Sequence, residues 1–242
     1  MRLSGHAIFS LVVYAWRRFD AGATTVGLAL FDLDNTLIAG DSDYLWGCFL
    51  VEQGIVDGTT YERANRRFYD QYKVGELDIH EFLAFQLRPL AAHSMESLQQ
   101  WRHQYVQEKI TPILLPRAHA LIDRHRQQGD TLVVITATNR FITSPIVALY
   151  GIQHLLATEP EIVNNAYTGK VTGTPCFQAG KVERLSDWLE ERRQVLDDSW
   201  FYSDSHNDLP LLGKVTHPVA VDPDEVLAQH AKDHDWPVIS LR

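Results

Sequence analysis

The sequence predicts an α/β fold: a doubly wound parallel sheet carrying one all-helical insertion. Three observations point to it. An apolar run, Gly27-Leu28-Ala29-Leu30-Phe31, ends abruptly in Asp32-Leu33-Asp34-Asn35-Thr36. From Thr111 to the C-terminus, apolar strand-like runs alternate with stretches of helical periodicity. Between about Asp41 and Ile110 the pattern is helical with no convincing strand. Strands alternating with helices imply a parallel sheet covered on both faces. A chain of 242 residues can hold one such domain plus an insertion.

The elements follow in order. The first run reads as a buried strand because it is short, wholly apolar and bounded by polar residues. Leu45, Trp46, Phe49 and Leu50 then share one helical face, and Asp57-Gly58 interrupts the pattern. A polar helix through Arg63, Arg66 and Tyr69 runs to Gly75, and further helical patterns pass through Phe82-Leu83-Leu87 and Leu98-Trp101-Tyr105. A helix through Leu121 and Ile122 stops at Gly129, and residues 131–136 form a buried strand. Ile142, Ile146 and Val147 mark a helix closed by Gly151, and His154-Leu155-Leu156 a short strand. Asn164-Asn165 with Thr168-Gly169-Lys170 suggests a hairpin. Val182, Leu185, Trp188 and Leu189 face one side of another helix. Strands at 199–202 and 218–221 and a helix near Val226-Leu227 complete the series. The expected division is a core of residues 25–40 and 111–242, a helical cap of residues 41–110, and an N-terminal extension over residues 1–24.

Composition narrows the function classes. A net charge of -9 argues against a nucleic-acid partner, since phosphate backbones reward Lys and Arg. The N-terminal apolar stretch Ala7 to Trp16 is too short to span a membrane. Ala21-Gly22-Ala23 has the small residues of an export cleavage site, but Arg17-Arg18-Phe19-Asp20 is poorly placed for export. Cys48 and Cys176 lie far apart and outside any metal-ligand spacing, so reduced thiols and a cytoplasmic protein are expected. Nothing in the sequence sets an oligomeric state.

The chemistry is concentrated at the strand ends, where open α/β sheets bind their ligands. Asp32 and Asp34 follow the first strand, Thr136 the second, and Asp204 and Asp208 the strand at 199–202; Lys181 opens the helix before that strand. With Leu33 turned away, Asp32 and Asp34 face one crevice, where two carboxylates repel each other unless a cation or a shared proton intervenes. Asp-x-Asp also marks ordinary turns and opens calcium loops, but the calcium loop needs Gly where this chain has Leu37. A phosphomonoester dianion repels a carboxylate nucleophile, so such a site calls for a divalent cation, and hard aspartate oxygens suit Mg²⁺.

These residues resemble the haloacid dehalogenase superfamily. Asp32-Leu33-Asp34-Asn35-Thr36 is similar to its first motif, Thr136 at the end of an apolar strand to the second, Gly180-Lys181 to the third, and Asp204-Ser205-His206-Asn207-Asp208 to the acidic fourth. The resemblance covers nearly all of the chain after about Thr25. It implies a Rossmann-like core and a phosphomonoesterase working through an aspartyl-phosphate. Asp32 would be the nucleophile, Asp34 the general acid and base, and Asp32, Asp204 and the backbone carbonyl of Asp34 the Mg²⁺ ligands. Thr136, Lys181 and Asn207 would contact the phosphate, and Asp208 would orient Lys181 or a metal-bound water. His206 is expected to be an exposed loop residue.

The insertion resembles the cap of phosphoserine-phosphatase-like members, whose substrate is a small phosphate ester. By that resemblance Asp41 would meet a substrate ammonium. The carboxylate-binding arginine of the cap aligns with Ala84, leaving Arg88 one turn later. The opening Asp-Leu-Asp-Asn-Thr-Leu-Ile-Ala-Gly-Asp-Ser-Asp-Tyr-Leu-Trp is similar to a bacterial subgroup that includes histidinol-phosphate phosphatases. Histidinol phosphate is therefore the first expectation, with Asp43 and Tyr44 lining an imidazole pocket, joined by Trp46 unless that side chain is helix core, and phosphoserine the second. A reading of another class is a catalytically weak regulator that binds a phosphometabolite.

Overall fold

The strand that leads to the paired aspartates, β1 (Leu28–Phe31), is buried along its whole length. Ala29 and Phe31 enter one hydrophobic cluster, and Leu28 and Leu30 the other. That is the period-two split of a strand covered on both faces. The computed structural model describes residues 27–242, so the expected extension over residues 1–24 falls outside the described residues.

After β1 the chain enters five consecutive helices: α1 (Ser42–Glu52), α2 (Gly58–Lys73), α3 (Ile79–Gln86), α4 (Arg88–Ala92) and α5 (Met95–Tyr105). Asp41, Asp57, Asp78 and Ser94 cap the N-termini of α1, α2, α3 and α5, each side chain accepting a backbone N–H of the first turn. Such caps satisfy donors that a helix start otherwise leaves open. The inner helices do not build a core of their own. Trp46 and Phe49 of α1, and Leu98 and Tyr105 of α5, belong to the same cluster as Phe31, Leu33 and Phe141. The outer pair, α2 and α3, is held by aromatic contacts, with Phe68 and Phe82 at 5.4 Å and Tyr61 and Phe85 at 4.6 Å between centroids.

The alternating half follows: α6 (Pro116–Gln128), β2 (Thr131–Asn139), α7 (Arg140–Leu149), β3 (His154–Val163), β4 (Ala166–Thr172), α8 (Ala179–Arg192), β5 (Ser199–Ser203), α9 (Leu209–Leu212), β6 (His217–Val221), α10 (Glu225–Asp233) and β7 (Val238–Ile239). Among the described residues they form one seven-stranded sheet of order β4-β3-β2-β1-β5-β6-β7. Every pairing is parallel except the β3–β4 hairpin, whose turn residues Asn164 and Asn165 take φ of 50° and 61°. Asn tolerates that left-handed backbone, as two-residue hairpin turns require. β1 lies between β2 and β5, so the chain winds outward from it in both directions, and the crevice at its carboxyl end is the ligand-binding position of such sheets.

Two details differ from the sequence expectation. β2 continues past Thr136 to Asn139, which places Thr138 on the strand as well. β7 is a two-residue edge strand, too short to leave a periodic signature. No helix of the described residues is long and apolar enough to cross a membrane. Cys48 and Cys176 are both free.

Candidate active site

Asp32 continues the β1 ladder by one bond, its backbone N–H donating to Tyr202 O at 2.9 Å, and this aims its side chain into the crevice. Lys181 Nζ donates to Asp32 Oδ1 at 2.7 Å and to Asp208 Oδ2 at 2.8 Å. Lys181 is 3% exposed, a degree of burial that an ammonium tolerates only when paired. Burial works against its charge, but Asp208 and Asp32 outweigh it and hold the ammonium protonated well above the ordinary lysine range. Asp208 Oδ2 also accepts the Ser203 hydroxyl at 2.7 Å. Its side chain therefore holds Lys181 and makes no cap bond to α9.

The turn into α8 is built to deliver Lys181. A Cβ on Gly180 would lie 2.0 Å from Pro175 O, so only glycine lets the chain pass there. Just before it, Gln178 holds φ of 49° and ψ of -118°, a strained backbone for a residue with a side chain, and its Nε2 donates to Asn207 Oδ1 at 2.9 Å.

Asp34 is fixed by two short bonds: Oδ1 accepts the Ser42 N–H at 2.6 Å, and Oδ2 accepts the Thr138 hydroxyl at 2.9 Å. Thr136 Oγ1 stands farther off at 3.5 Å from the same oxygen and accepts the Thr138 N–H at 3.2 Å. Burial raises the Asp34 carboxyl to about 6, with Asp41 adding to the rise and the Ser42 and Thr138 bonds opposing it. A carboxyl in that range can both give and take a proton near neutrality. Thr36 ties the first motif to the fourth: its hydroxyl donates to Asp204 Oδ1 and accepts the Asp204 N–H, both at 3.1 Å.

Burial and then the neighbouring Asp32 and Asp208 hold Asp204 well above the usual carboxylate range, while burial raises Asp32 against the pull of Lys181. Among the described residues no three His, Cys, Asp or Glu side chains gather as a ready-made metal cluster. The donor chemistry nonetheless fits Mg²⁺, which keeps several waters and takes one or two carboxylates. Asp32 commits Oδ1 to Lys181 and Asp204 commits Oδ1 to Thr36, and among the described residues neither second oxygen is hydrogen-bonded. Two mutually repelling hard carboxylates with an oxygen each to spare suit a divalent cation.

These groups line a cavity of about 330 Å³ under α2, together with Asp41, Asp43, Tyr72 and Lys73. Tyr72 crosses from cap to core, its O–H donating to Ser205 Oγ at 3.1 Å. A second cavity, about 750 Å³ between α1 and α2, adjoins it through Asn35, Asp41, Tyr69 and Lys73.

The site residues expected from sequence separate here. Asp32, Asp34, Thr136, Lys181, Asn207, Asp208 and Asp204 all line the one cavity. Asp41 lines it too while capping α1 through its Oδ1, which accepts the Tyr44 N–H at 2.8 Å. Arg88 is not brought to the site: it is exposed at the start of α4 and lines neither cavity, because α4 turns that face outward. Asn207 spends its side chain on structure, its Nδ2 donating to Tyr72 O and its Oδ1 accepting from Gln178. His206 is not an exposed loop residue, since its side chain is 17% exposed and Nδ1 sits 2.7 Å from Asp224 Oδ2. Of the expected imidazole pocket only Asp43 reaches the catalytic cavity; Tyr44 lines the outer one and Trp46 packs in the core against Phe49, Tyr105 and Phe141. Sequence reasoning passed over Thr138, Ser203 and Tyr72. Thr138 had a signal, since it lies two residues after Thr136 on the same strand face.

The sequence profile of the haloacid dehalogenase-like hydrolases matches residues 29–213, which spans the paired aspartates, Lys181 and the Asp204–Asp208 loop. The chain belongs to this family. As a member it is a hydrolase, and its relatives include phosphatases. It is 44% identical over 219 residues to a histidinol-phosphatase of Neisseria meningitidis, an alignment covering 89% of this chain and 99% of that protein. It is 27% identical to a phosphoserine phosphatase of Mycobacterium tuberculosis, covering 88% of this chain and 70% of that one. Among solved structures, a protein of unknown function from Bordetella pertussis Tohama I superposes with a TM-score of 0.85 at 42% identity, over 90% of this chain and 100% of that one. A phosphoserine phosphatase determined as a phospho-aspartyl intermediate analogue shares the fold, with a TM-score of 0.65 at 16% identity over 89% and 93% of the two chains.

Proposed function

We propose that this protein is a Mg²⁺-dependent phosphomonoesterase whose substrate is L-histidinol phosphate, turned over through an aspartyl-phosphate on Asp32. The observation that carries the chemistry is the single crevice holding Asp32, its ammonium partner Lys181 and the separately held Asp34. Asp32 attacks phosphorus through a carboxylate oxygen as the ester P–O bond breaks. Asp34 gives its proton to the departing alkoxide, then takes one from the water that cleaves the aspartyl-phosphate. Lys181 and Thr136 hold phosphoryl oxygens that gain charge on the way. Asp32, Asp204 and the backbone carbonyl of Asp34 would hold Mg²⁺, which when bound screens the carboxylates from the phosphate dianion and stabilises the transferring group. The cap above, latched by Tyr72, excludes water from the first step.

Two observations favour histidinol phosphate over phosphoserine. The relative at 44% identity matches almost end to end and is a histidinol-phosphatase. The cavity is acidic where a substrate amine would lie, at Asp41 and Asp43. Among the described residues, the one arginine in its lining is Arg242, which is already paired with Asp222, so no free bidentate clamp awaits a substrate carboxylate. Two free thiols fit a reducing, cytoplasmic setting.

Phosphate release from histidinol phosphate and from phosphoserine, measured side by side with Mg²⁺, tests the reading. Histidinol phosphate should win by about tenfold or more in kcat/KM. A preference for phosphoserine removes the substrate, and no Mg²⁺-dependent release from either removes the reading as a whole.

A further inference from the structure

Five buried side-chain polar atoms of the described residues lack a hydrogen-bond partner, and three belong to one stretch of α1: Ser42 Oγ, Asp43 Oδ1 and Trp46 Nε1. Native proteins leave few such atoms, and a cluster of them marks a place where something else completes the bonding. Asp43 is the member that faces the catalytic cavity, and it is only 4% exposed. An acidic residue in the first turn of a helix ordinarily complements the macrodipole from solvent. Here that role is already filled by the Asp41 cap, so burying a second carboxylate beside it adds cost without improving the helix.

The two tyrosine hydroxyls near Asp43 are committed elsewhere. The Tyr105 hydroxyl donates to Ser42 O at 2.7 Å, and the Tyr61 hydroxyl to Gln86 Oε1 at 2.6 Å. Beyond burial, the charges that act on Asp43 are Asp41 and Asp34, both carboxylates that raise it further. What the position wants is therefore a donor, and a cationic or polarised N–H is the donor with most to offer.

We propose that Asp43 is the specificity residue for the nitrogen heterocycle of the substrate, accepting a hydrogen bond from the imidazole N–H while Asp41 takes the ammonium. This rests on the histidinol phosphate reading and adds a division of labour within it. Asp41 has one oxygen occupied by the Tyr44 N–H and is shared by both cavities, which suits a small, mobile ammonium. Asp43 sits deeper, at 4% exposed, in the cavity that also carries the rings of Tyr69, Tyr72, Phe82 and Phe177, which offer a flat heterocycle apolar faces to pack against.

The test uses the full chain with Mg²⁺ and three substrates: histidinol phosphate, phosphoethanolamine (an ammonium without the ring) and p-nitrophenyl phosphate. Asp43→Asn keeps the shape and removes the charge. Its loss in kcat/KM on histidinol phosphate should exceed its loss on phosphoethanolamine by about tenfold or more, carried by KM. Inhibition by histidinol should weaken by a similar factor relative to inhibition by inorganic phosphate. Asp43→Glu, which keeps the charge but moves it by one methylene, should show the same substrate-selective loss and stands in where the asparagine fails to fold. Equal losses on all three substrates, or an unchanged histidinol inhibition constant, overturn the assignment of Asp43 while leaving histidinol phosphate as substrate. A wild-type protein that hydrolyses the other two esters but not histidinol phosphate overturns both.

Discussion

Tyr72, in the last turn of the outer cap helix α2, donates its phenolic O–H to Ser205 Oγ in the fourth-motif loop of the core at 3.1 Å. The same turn of α2 offers its Tyr72 carbonyl to Asn207 Nδ2 at 3.2 Å. The cap thus closes on the residues next to Asp204 rather than on the sheet at large. Tyr72→Phe keeps the ring and removes the latch. A net hydrogen bond of about 0.5–1.5 kcal/mol should be lost, seen as faster amide exchange across α2 and a few-fold drop in kcat/KM. Unchanged exchange in α2 would mean that the aromatic contacts alone hold the cap down.

Gly75, just beyond α2, has φ of 74°, and a Cβ there would lie 3.3 Å from His206 Nε2. Gly75→Ala should cost about 1 kcal/mol through the left-handed backbone and push the cap end away from the His206 loop. Thermal melting and KM should both move. A melting temperature and KM equal to wild type would contradict this placement.

The paired aspartates, Thr136, Lys181 and the Asp204–Asp208 loop were legible in the sequence because strand ends in a doubly wound sheet converge by topology, so local pattern was enough to locate them. The partners of those residues were not. That Asp34 is held by the Ser42 N–H depends on how α1 turns back over the first motif, and no spacing rule encodes that angle. Tyr72 read as one more residue on a polar helix; its role exists only because α2 ends over Ser205. Arg88 was placed by counting along the helix, and the short separate helix α4 rotates it into solvent. That Trp46 and Tyr105 share the core of Phe31 is a tertiary contact that helical periodicity does not encode.

Lys181→Met leaves Asp32 and Asp208 buried without their common cation. Activity should vanish, and in chelator the protein should lose on the order of 3 kcal/mol near pH 8. Asp32 is already raised to about 7 with Lys181 present, above the ordinary 3.8, and without Lys181 it rises further. The folded variant therefore takes up a proton at higher pH than the wild-type protein does, and its deficit should shrink as pH falls from the alkaline side toward about 7. Denaturant melts at the two ends of that window measure it. A deficit independent of pH would show that packing, not charge, accounts for the loss.

Mg²⁺ should raise the melting temperature of the wild-type protein by several degrees at neutral pH, since a ligand at a hundred times its Kd contributes about 2.7 kcal/mol. Asp204→Asn should remove most of that increase along with turnover. An undiminished shift in this variant would place the cation elsewhere.

Asp41→Asn retains a good helix cap but not the charge. Its loss on aminated phosphates should exceed its loss on p-nitrophenyl phosphate by about tenfold to more than a hundredfold in kcat/KM, the equivalent of about 1.5–3 kcal/mol. Losses of equal size on both would confine Asp41 to capping α1.

The measurement that bears most directly on the account is the mass of the Asp34→Asn variant after reaction with p-nitrophenyl phosphate and Mg²⁺. This leaving group departs with little need of a proton, whereas hydrolysis of the acyl phosphate still needs the base that Asp34 supplies. The variant should therefore accumulate one covalent phosphoryl group, with peptide mapping placing it on Asp32 and Asp32→Asn abolishing it. A variant that turns over slowly with no phosphorylated species, or one phosphorylated at a residue other than Asp32, would contradict the mechanism.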